Sequence, residues 1–364
     1  MSAQPDSVLE IDLGAIAANW RLLRGRLKRG CEAAAVVKAD AYGVGMAQVA
    51  QRLWRAGCRL FFVADAGEGL ALRRLLPEAR IAILNGFEAG AAREFARGRL
   101  IPVLNHLGQV ADWRKAGRAA PAMLHLDTGM SRLGLPPDEA RRLMDNPALL
   151  GGFPLEGLLS HLTTAWNRKA GTNRTQLDAF RALLKSLPPA PASLASSSGI
   201  FLGPAYQFDF VRPGAALYGA NPLPGHNNLM KQVITLKAKI LQVRELEKGQ
   251  SVGYDGSHRM TRRGRVATLA AGYADGFLRS ASNKASVGIA GKRAPVVGRI
   301  SMDLITIDVT GIDPKRTRPG AYADLLDDEY GIDDFARDAG TIAYEVLTSL
   351  GGRHHRVYRG GADA

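Results

Sequence analysis

AAVVKADAYGVG, residues 34–45, sets an apolar run too short for a helix against a single lysine and a turn-prone, glycine-bearing segment. The run reads as a buried strand that delivers Lys38 to its rim. An ammonium group at the end of such a strand loses solvation, so its pKa falls toward the range in which a free amine attacks carbonyl carbon. Taken alone, a lysine at a strand end is an ordinary solvated residue, and the rest of the chain must decide.

Upstream, Asp12 is placed to cap a helix whose apolar positions Ile16, Trp20, Leu23 and Leu27 fall three or four apart before Gly30. Downstream, short apolar runs recur: LFFVA (60–64), RIAILN (80–85), LIPVLN (100–105), AMLHL (122–126), EGLLSHL (156–162), ASLAS (192–196) and FDFV (208–211). Helical segments over 47–56, 67–76, 88–97, 137–145 and 174–187 separate them. With the Lys38 strand, eight strands alternate with helices, and this predicts an α/β fold closed as a (β/α)8 TIM-type barrel. After NPLPGHN (221–227), segments such as VITLKAKILQV, RVATLAAGY, ASVGIAG, APVVGRI and LITIDVT follow one another with turns such as AGKR between them. They predict a mostly antiparallel β domain, with the barrel over 1–232 and the second domain over 233–364. A late helical patch runs over 332–350, with Gly351 and Gly352 available to end it.

The length of 364 residues allows two such units, and a 46% hydrophobic content can fill their cores. The net charge of +14 is scattered over Arg21, Arg24, Arg26, Lys28 and Arg29, then Arg52, Arg55 and Arg59, rather than massed with aromatics. Solvated helix faces are the first expectation; such a surface also attracts anionic small molecules, with no specific nucleic-acid motif. Cys31 and Cys58 lie in no metal-type or redox spacing, no signal pattern opens MSAQPDSVLEIDL, and no apolar run approaches the roughly 20 residues that span a bilayer. A soluble cytoplasmic protein without a membrane segment or a metal is expected.

Barrels of this kind do chemistry at the C-terminal ends of their strands. Lys38 ends the first strand, Arg132 follows the fifth, His161 lies near the end of the sixth, and Arg212 directly follows the eighth. The loops after strands seven and eight carry Ser196-Ser197-Ser198-Gly199 and Pro213-Gly214-Ala215, whose hydroxyls and bare amides suit an anion. Separately, each is unremarkable. Together, a lysine, phosphate-type loops and cationic groups on one rim describe a pyridoxal phosphate site.

On these residues the chain resembles the alanine racemases, two-domain barrel enzymes that use pyridoxal phosphate. AVVKADAYGVG (35–45) looks like the family's cofactor-lysine motif; HLDTGMSRLG (125–134), SHLTTA (160–165), ASSSG, VRPGAALYG (211–219), VGYDG (252–256), AAGYADG (270–276), VGRISMD (297–303) and EVLTSLGG with Tyr358 follow in order. The resemblance implies an isomerase that interconverts L- and D-alanine for peptidoglycan, working as a homodimer. It implies that Lys38 holds the cofactor and is the base on one face of the substrate, while Tyr254, from the other subunit, is the base on the opposite face. His161 would contact that tyrosine and help lower its pKa. Arg212 would face the pyridine nitrogen, Arg132 and the Met302 amide would bind the substrate carboxylate, and Tyr42, Ser197, Gly214, Ala215 and Tyr358 would cradle the phosphate. Tyr273 and Asp303 would line the substrate entrance. A barrel-type decarboxylase or a broader amino-acid racemase is the alternative, although a decarboxylase would be expected to offer the pyridine nitrogen a carboxylate. The chain departs from the family at His125, where many members carry a carbamylated lysine that orients the carboxylate-binding arginine, and at Ser196, where members often have asparagine.

Overall fold

The computed structural model describes residues 4–117 and 120–361. Strands Ala35–Val36, Leu60–Val63, Arg80–Ile83, Ile101–Leu104, Ala122–His125, Leu155–Leu159 and Ala192–Ser193 pair in sequence order, all parallel. The eighth strand, Phe210–Val211, pairs in parallel with Glu32–Ala33 and meets the seventh through a Ser196–Arg212 bridge, so the expected barrel closes. Leu60, Phe61, Phe62 and Val63 are buried on both faces of the sheet, as a strand between an outer helical ring and a filled barrel interior requires.

The helices lie between the strands. Asp12 caps the Leu13–Gly25 helix by accepting the Ala15 amide at 2.8 Å, and Ile16, Trp20 and Leu23 bury its inner face. Met46–Arg55, Ala66–Leu75, Ala92–Gly98, Pro137–Asp145 and Gly171–Ser186 occupy the other expected positions within a few residues.

The second domain is a sheet built on the long Ile234–Leu246 strand, which pairs antiparallel with Gly264–Leu269 and Tyr322–Leu326. Ser286–Ile289 and Lys292–Pro295 form the hairpin expected at AGKR; Ala290 (φ 53°) and Gly291 (φ 72°) supply its left-handed two-residue turn. The late helical patch is two helices, Ile332–Ala339 and Ala343–Ser349, because Gly340 ends the first in a left-handed conformation.

One strand lies where the sequence reading has none. Ser7–Asp12 pairs antiparallel with Ile234–Leu246 and parallel with His355–Arg359, so a segment that precedes the barrel is built into the second sheet. Leu9 and Ile11, alternating with polar neighbours, bury its inner face completely. It is the only parallel pairing among the described strands of an otherwise antiparallel sheet.

Candidate active site

The first barrel strand stops at Val36, and Lys38 opens a segment with unusual backbone geometry. Ala39, Asp40, Ala41 and Tyr42 all have φ between 52° and 56°, a turn of left-handed helix built without glycine. Each such residue costs about 1–2 kcal/mol in Cβ–carbonyl crowding, so the surroundings must impose the conformation. Glu68 caps the turn by accepting the Ala39 amide at 2.6 Å through one oxygen, while its other oxygen accepts the Ala64 amide at 2.8 Å. Asp40 accepts the Met46 amide at 2.7 Å and so caps the next helix. Gly43 (φ 83°) returns its amide to the Ala39 carbonyl at 2.8 Å and gives its own carbonyl to Arg356 at 2.8 Å. A Cβ at Gly43 would collide with the carbonyl of Leu347 in the Ala343–Ser349 helix. The Lys38 amine is thus presented from a fixed base. Burial, and then the charge of Arg132, lower its pKa, with Glu68 opposing.

A cavity of about 600 Å³ opens at this rim. Of the residues expected there, Lys38, Tyr42, Arg132, His161, Ser197, Arg212, Gly214 and Ala215 line it, together with His125 and Ser196. Arg212 is 6% exposed; it donates to the Ser193 carbonyl at 3.0 Å, the Ser160 carbonyl at 2.6 Å and the Ser193 hydroxyl. Burial pulls its pKa down to about 10, which still leaves it protonated at neutral pH, and no carboxylate pairs with it among the described residues. The two histidines behave differently. Burial and the neighbouring cations, Arg212 first, push His161 to about 3 and His125 to about 4. His161 is therefore a neutral hydrogen-bonding group in this chain.

Elsewhere in the same cavity the walls fit a phosphate. Ser197 Oγ accepts the Gly214 amide at 3.0 Å and the Ala216 amide at 3.3 Å, which draws the two barrel loops together. The Tyr42 hydroxyl stands so close to Gly214 that a Cβ there would strike it, and no hydrogen bond among the described residues uses that hydroxyl. A bare backbone, a free phenol hydroxyl and a serine converging at one end, with a partly desolvated amine nearby, match the donor set that pyridoxal phosphate needs.

Tyr358 does not line the cavity. It lies on the His355–Arg359 strand, and its hydroxyl donates to the Val44 carbonyl at 3.1 Å against Gly45, so its role is to buttress the lysine turn. The tyrosine that does reach the cavity is Tyr344, with Glu345 and Thr348, from the Ala343–Ser349 helix; its ring centroid is 6.2 Å from that of Tyr42. Tyr344 lies one residue before the EVLTSLGG motif and carries no signal of its own in the sequence; the helix laid across the barrel mouth turns it inward.

Tyr254, Tyr273, Met302 and Asp303 also lie off this cavity. Tyr254 is 67% exposed on a short turn, beside an Arg299–Asp255 ion pair of 2.8 Å. Tyr273 and Met302 are exposed as well, the Ala274 amide donating to the Met302 carbonyl at 3.0 Å, and Asp303 accepts from Arg353 at 2.7 Å. Within one chain these residues form a separate surface of the second domain.

The sequence profile of the alanine racemase N-terminal domain matches residues 11–222, and that of the alanine racemase C-terminal domain matches residues 233–358. An alanine racemase of Acidiphilium cryptum (strain JF-5) is 49% identical over 354 residues, 96% of this chain and 98% of that protein. One from Rhodospirillum rubrum is 47% identical over 359 residues, 97% of this chain and 96% of that protein. Among solved structures, the alanine racemase of Bartonella henselae with covalently bound pyridoxal phosphate superposes with a TM-score of 0.93 at 40% identity, covering 98% of this chain and 100% of that one. The chain belongs to the alanine racemase family.

Proposed function

We propose that this protein interconverts L- and D-alanine with pyridoxal phosphate as its cofactor, using two bases on opposite faces of the substrate. The observation that carries the reading is the meeting of the Lys38 amine, whose pKa is lowered by burial, with buried, protonated Arg212 and the Tyr42–Ser197–Gly214 cradle at one barrel mouth. Pyridoxal phosphate, when bound, supplies a conjugated ring that spreads the charge left on the α-carbon when its proton departs.

The rest falls to the chain's own side chains. Lys38 holds the cofactor through its amine and serves as base on the near face. Arg212 presents a donor that stays protonated, so it would hydrogen-bond the pyridine nitrogen without surrendering a proton to it. Arg212, by leaving that nitrogen unprotonated, would favour return of the α-proton by the two bases over decarboxylation or transamination. Tyr42, Ser197, Gly214 and Ala215 receive the phosphate, and Tyr344 joins them. Arg132 binds the substrate carboxylate.

In this reading the protein is a homodimer in which Tyr254 enters the partner's cavity as the second base, with Tyr273 and Asp303 at the entrance. The Met302 amide, which serves no hydrogen bond among the described residues, joins Arg132 on the carboxylate. The exposure of Tyr254, Tyr273 and Met302 supports that arrangement, since a lone chain leaves large side chains in water for no return. The barrel, ending near residue 232, then holds the cofactor, and the second domain of residues 233–364, joined by the Ser7–Asp12 strand, supplies the second base, in the cytoplasm, feeding D-alanine to peptidoglycan.

The test is direct. Protein purified with pyridoxal phosphate converts either enantiomer to the racemate, as chiral chromatography reads it, and borohydride fixes the cofactor on Lys38. Lys38→Ala reduces turnover by at least about a thousandfold and abolishes the adduct. A wild-type protein that leaves both enantiomers untouched defeats the proposal.

A further inference from the structure

Two arginines at the start of the His355–Arg359 strand, Arg353 just before it and Arg356 within it, hold different parts of the molecule. Arg353 grips the second-domain surface. Its Nε and Nη2 donate to the two oxygens of Asp275 at 2.8 and 2.9 Å, and its Nη1 donates to Asp303 at 2.7 Å. Asp275 is 5% exposed and also accepts the Gly272 amide at 2.9 Å, which closes the short turn that carries Tyr273. The turn and the Met302 segment already touch: the Tyr273 and Ala274 amides donate to the Ser301 and Met302 carbonyls, both at 3.0 Å, and a Cβ at Gly272 would strike the Met302 carbonyl. One guanidinium therefore bridges the segment of Tyr273 to that of Met302 and Asp303. His354 adds to the grip. Its Nε2 lies 2.8 Å from the Asp275 carbonyl, which only accepts, so Nε2 carries the hydrogen and Nδ1 accepts from the Ser7 hydroxyl at 2.8 Å.

Arg356 holds the barrel mouth instead. Its Nη1 donates to the Gly43 carbonyl at 2.8 Å and lies 3.9 Å from Asp40, so it braces the left-handed turn that presents Lys38. Tyr358, two residues on and hence on the same face of the strand, reaches the Val44 carbonyl beside it. In the proposed dimer the two arginines thus act on different cavities. The Lys38 turn serves the cavity of its own chain, whereas the Tyr273 and Met302 segments enter that of the partner.

We infer that Arg353 and Arg356, three residues apart, are positioning residues for two different active sites: Arg356 steadies the lysine of its own chain, and Arg353 locks the Tyr273 and Met302 segments into the unit that completes the partner's site. The inference rests on the proposed dimer. Without Arg353 the buried Asp275 carboxylate keeps one amide donor and loses its countercharge, so the turn rearranges rather than leave that charge uncompensated. A partner chain can cure the defect at Arg353; it cannot cure one at Arg356.

Mixed holoenzyme dimers, made by co-expressing two chains with different affinity tags and purifying on both, test this. As a homodimer, Arg353→Ala raises KM for L-alanine about tenfold, with kcat changed less and the visible absorption band of the bound cofactor unmoved. Arg356→Ala instead lowers kcat about tenfold and shifts the pH midpoint of that band. Paired with a Lys38→Ala chain, the Arg353→Ala chain keeps its own lysine and receives intact Tyr273 and Met302 segments, so the dimer shows about half the wild-type kcat at the wild-type KM. The Arg356→Ala chain paired in the same way keeps its defect, because the only lysine present stands on the loosened turn. If Arg353→Ala fails to fold, Arg353→Lys replaces it: one ammonium cannot bridge both carboxylates, and KM rises about threefold. The inference is overturned if the raised KM persists in the mixed dimer, if neither Arg353 variant moves KM as a homodimer, or if the Arg356→Ala mixed dimer recovers. A Lys38→Ala chain paired with a Tyr254→Phe chain tests the underlying reading. If that pair regains no activity, the two-chain site fails and takes this inference with it; if it recovers while the Arg353 pair does not, only this inference fails.

Discussion

Lys38 and Tyr254, assigned to opposite faces of one carbon, stand in opposite surroundings. Lys38 rises from a left-handed turn fixed by Glu68, Asp40, Arg356 and Tyr358. Tyr254 sits 67% exposed on a short turn whose nearest ion pair, Arg299–Asp255, is itself in solvent. The barrel mouth is thus organised before anything binds, whereas the second-domain surface offers its residues to something outside the chain. The difference follows from the work proposed for each half. A group that carries a cofactor must hold still through every turnover, and strain at its base is tolerable only if many contacts impose it. A group that completes a neighbour's site needs to be accessible, and is ordered by the surface it meets.

Four substitutions break or sharpen that contrast. Tyr254→Phe removes one base and leaves the other, so kcat for racemisation falls by about 10²–10⁴ while, in deuterated water, one enantiomer still exchanges its α-hydrogen without inverting, as proton NMR shows. Equal loss of exchange in both enantiomers would refute the assignment of the two faces. Gly43→Ala drives a Cβ into the Leu347 carbonyl from a positive φ, and costs about 2–4 kcal/mol in denaturant titrations while loosening the helix that carries Tyr344. Glu68→Gln keeps an acceptor for one amide but deletes the charge that raises the Lys38 pKa. With that charge gone the lysine loses its proton more easily, so the Lys38-dependent limb of the pH–rate profile moves to lower pH; a shift upward would contradict the assignment. Ala39→Gly relieves left-handed crowding at an exposed position, offset in part by the entropy of a more flexible unfolded chain, for a net gain of about 1 kcal/mol or less in thermal melts. Matching glycine changes at the Tyr254 turn test whether strain is confined to the lysine side.

The barrel was legible because each of its strands announces itself locally, as a short apolar run between helical segments, and the lysine, arginine and serine loops then fall at the strand ends by topology alone. Three features needed contacts that no local pattern encodes. Ser7–Asp12 alternates apolar and polar residues correctly, yet its partners begin at Ile234 and His355, too remote for the pattern to name. Tyr344 and Tyr358 both sit in the last stretch of the chain; only the packing of the Ala343–Ser349 helix over the barrel mouth decides which reaches the cavity. The handedness of the Ala39–Tyr42 turn is equally opaque, since alanine and tyrosine do not favour positive φ, aspartate visits it only as a single residue, and only Gly43 and Gly45 hint at it further. The charge state of His161 is hidden in the sequence for a related reason: a histidine's proton is set by its burial among cations, which depends on the closed barrel.

The opening strand has a consequence for how the molecule is made. Once made, Ser7–Asp12 must wait unzipped while more than two hundred further residues are synthesised, because one flank of its slot is residues 234–238 and the other is residues 355–359. Two segments more than three hundred residues apart in the chain are then sewn side by side. Splitting the gene between the barrel and the sheet would strip that seam from both fragments, so neither half is expected to mature alone, and residues 355–359 decide whether residues 7–12 find their place.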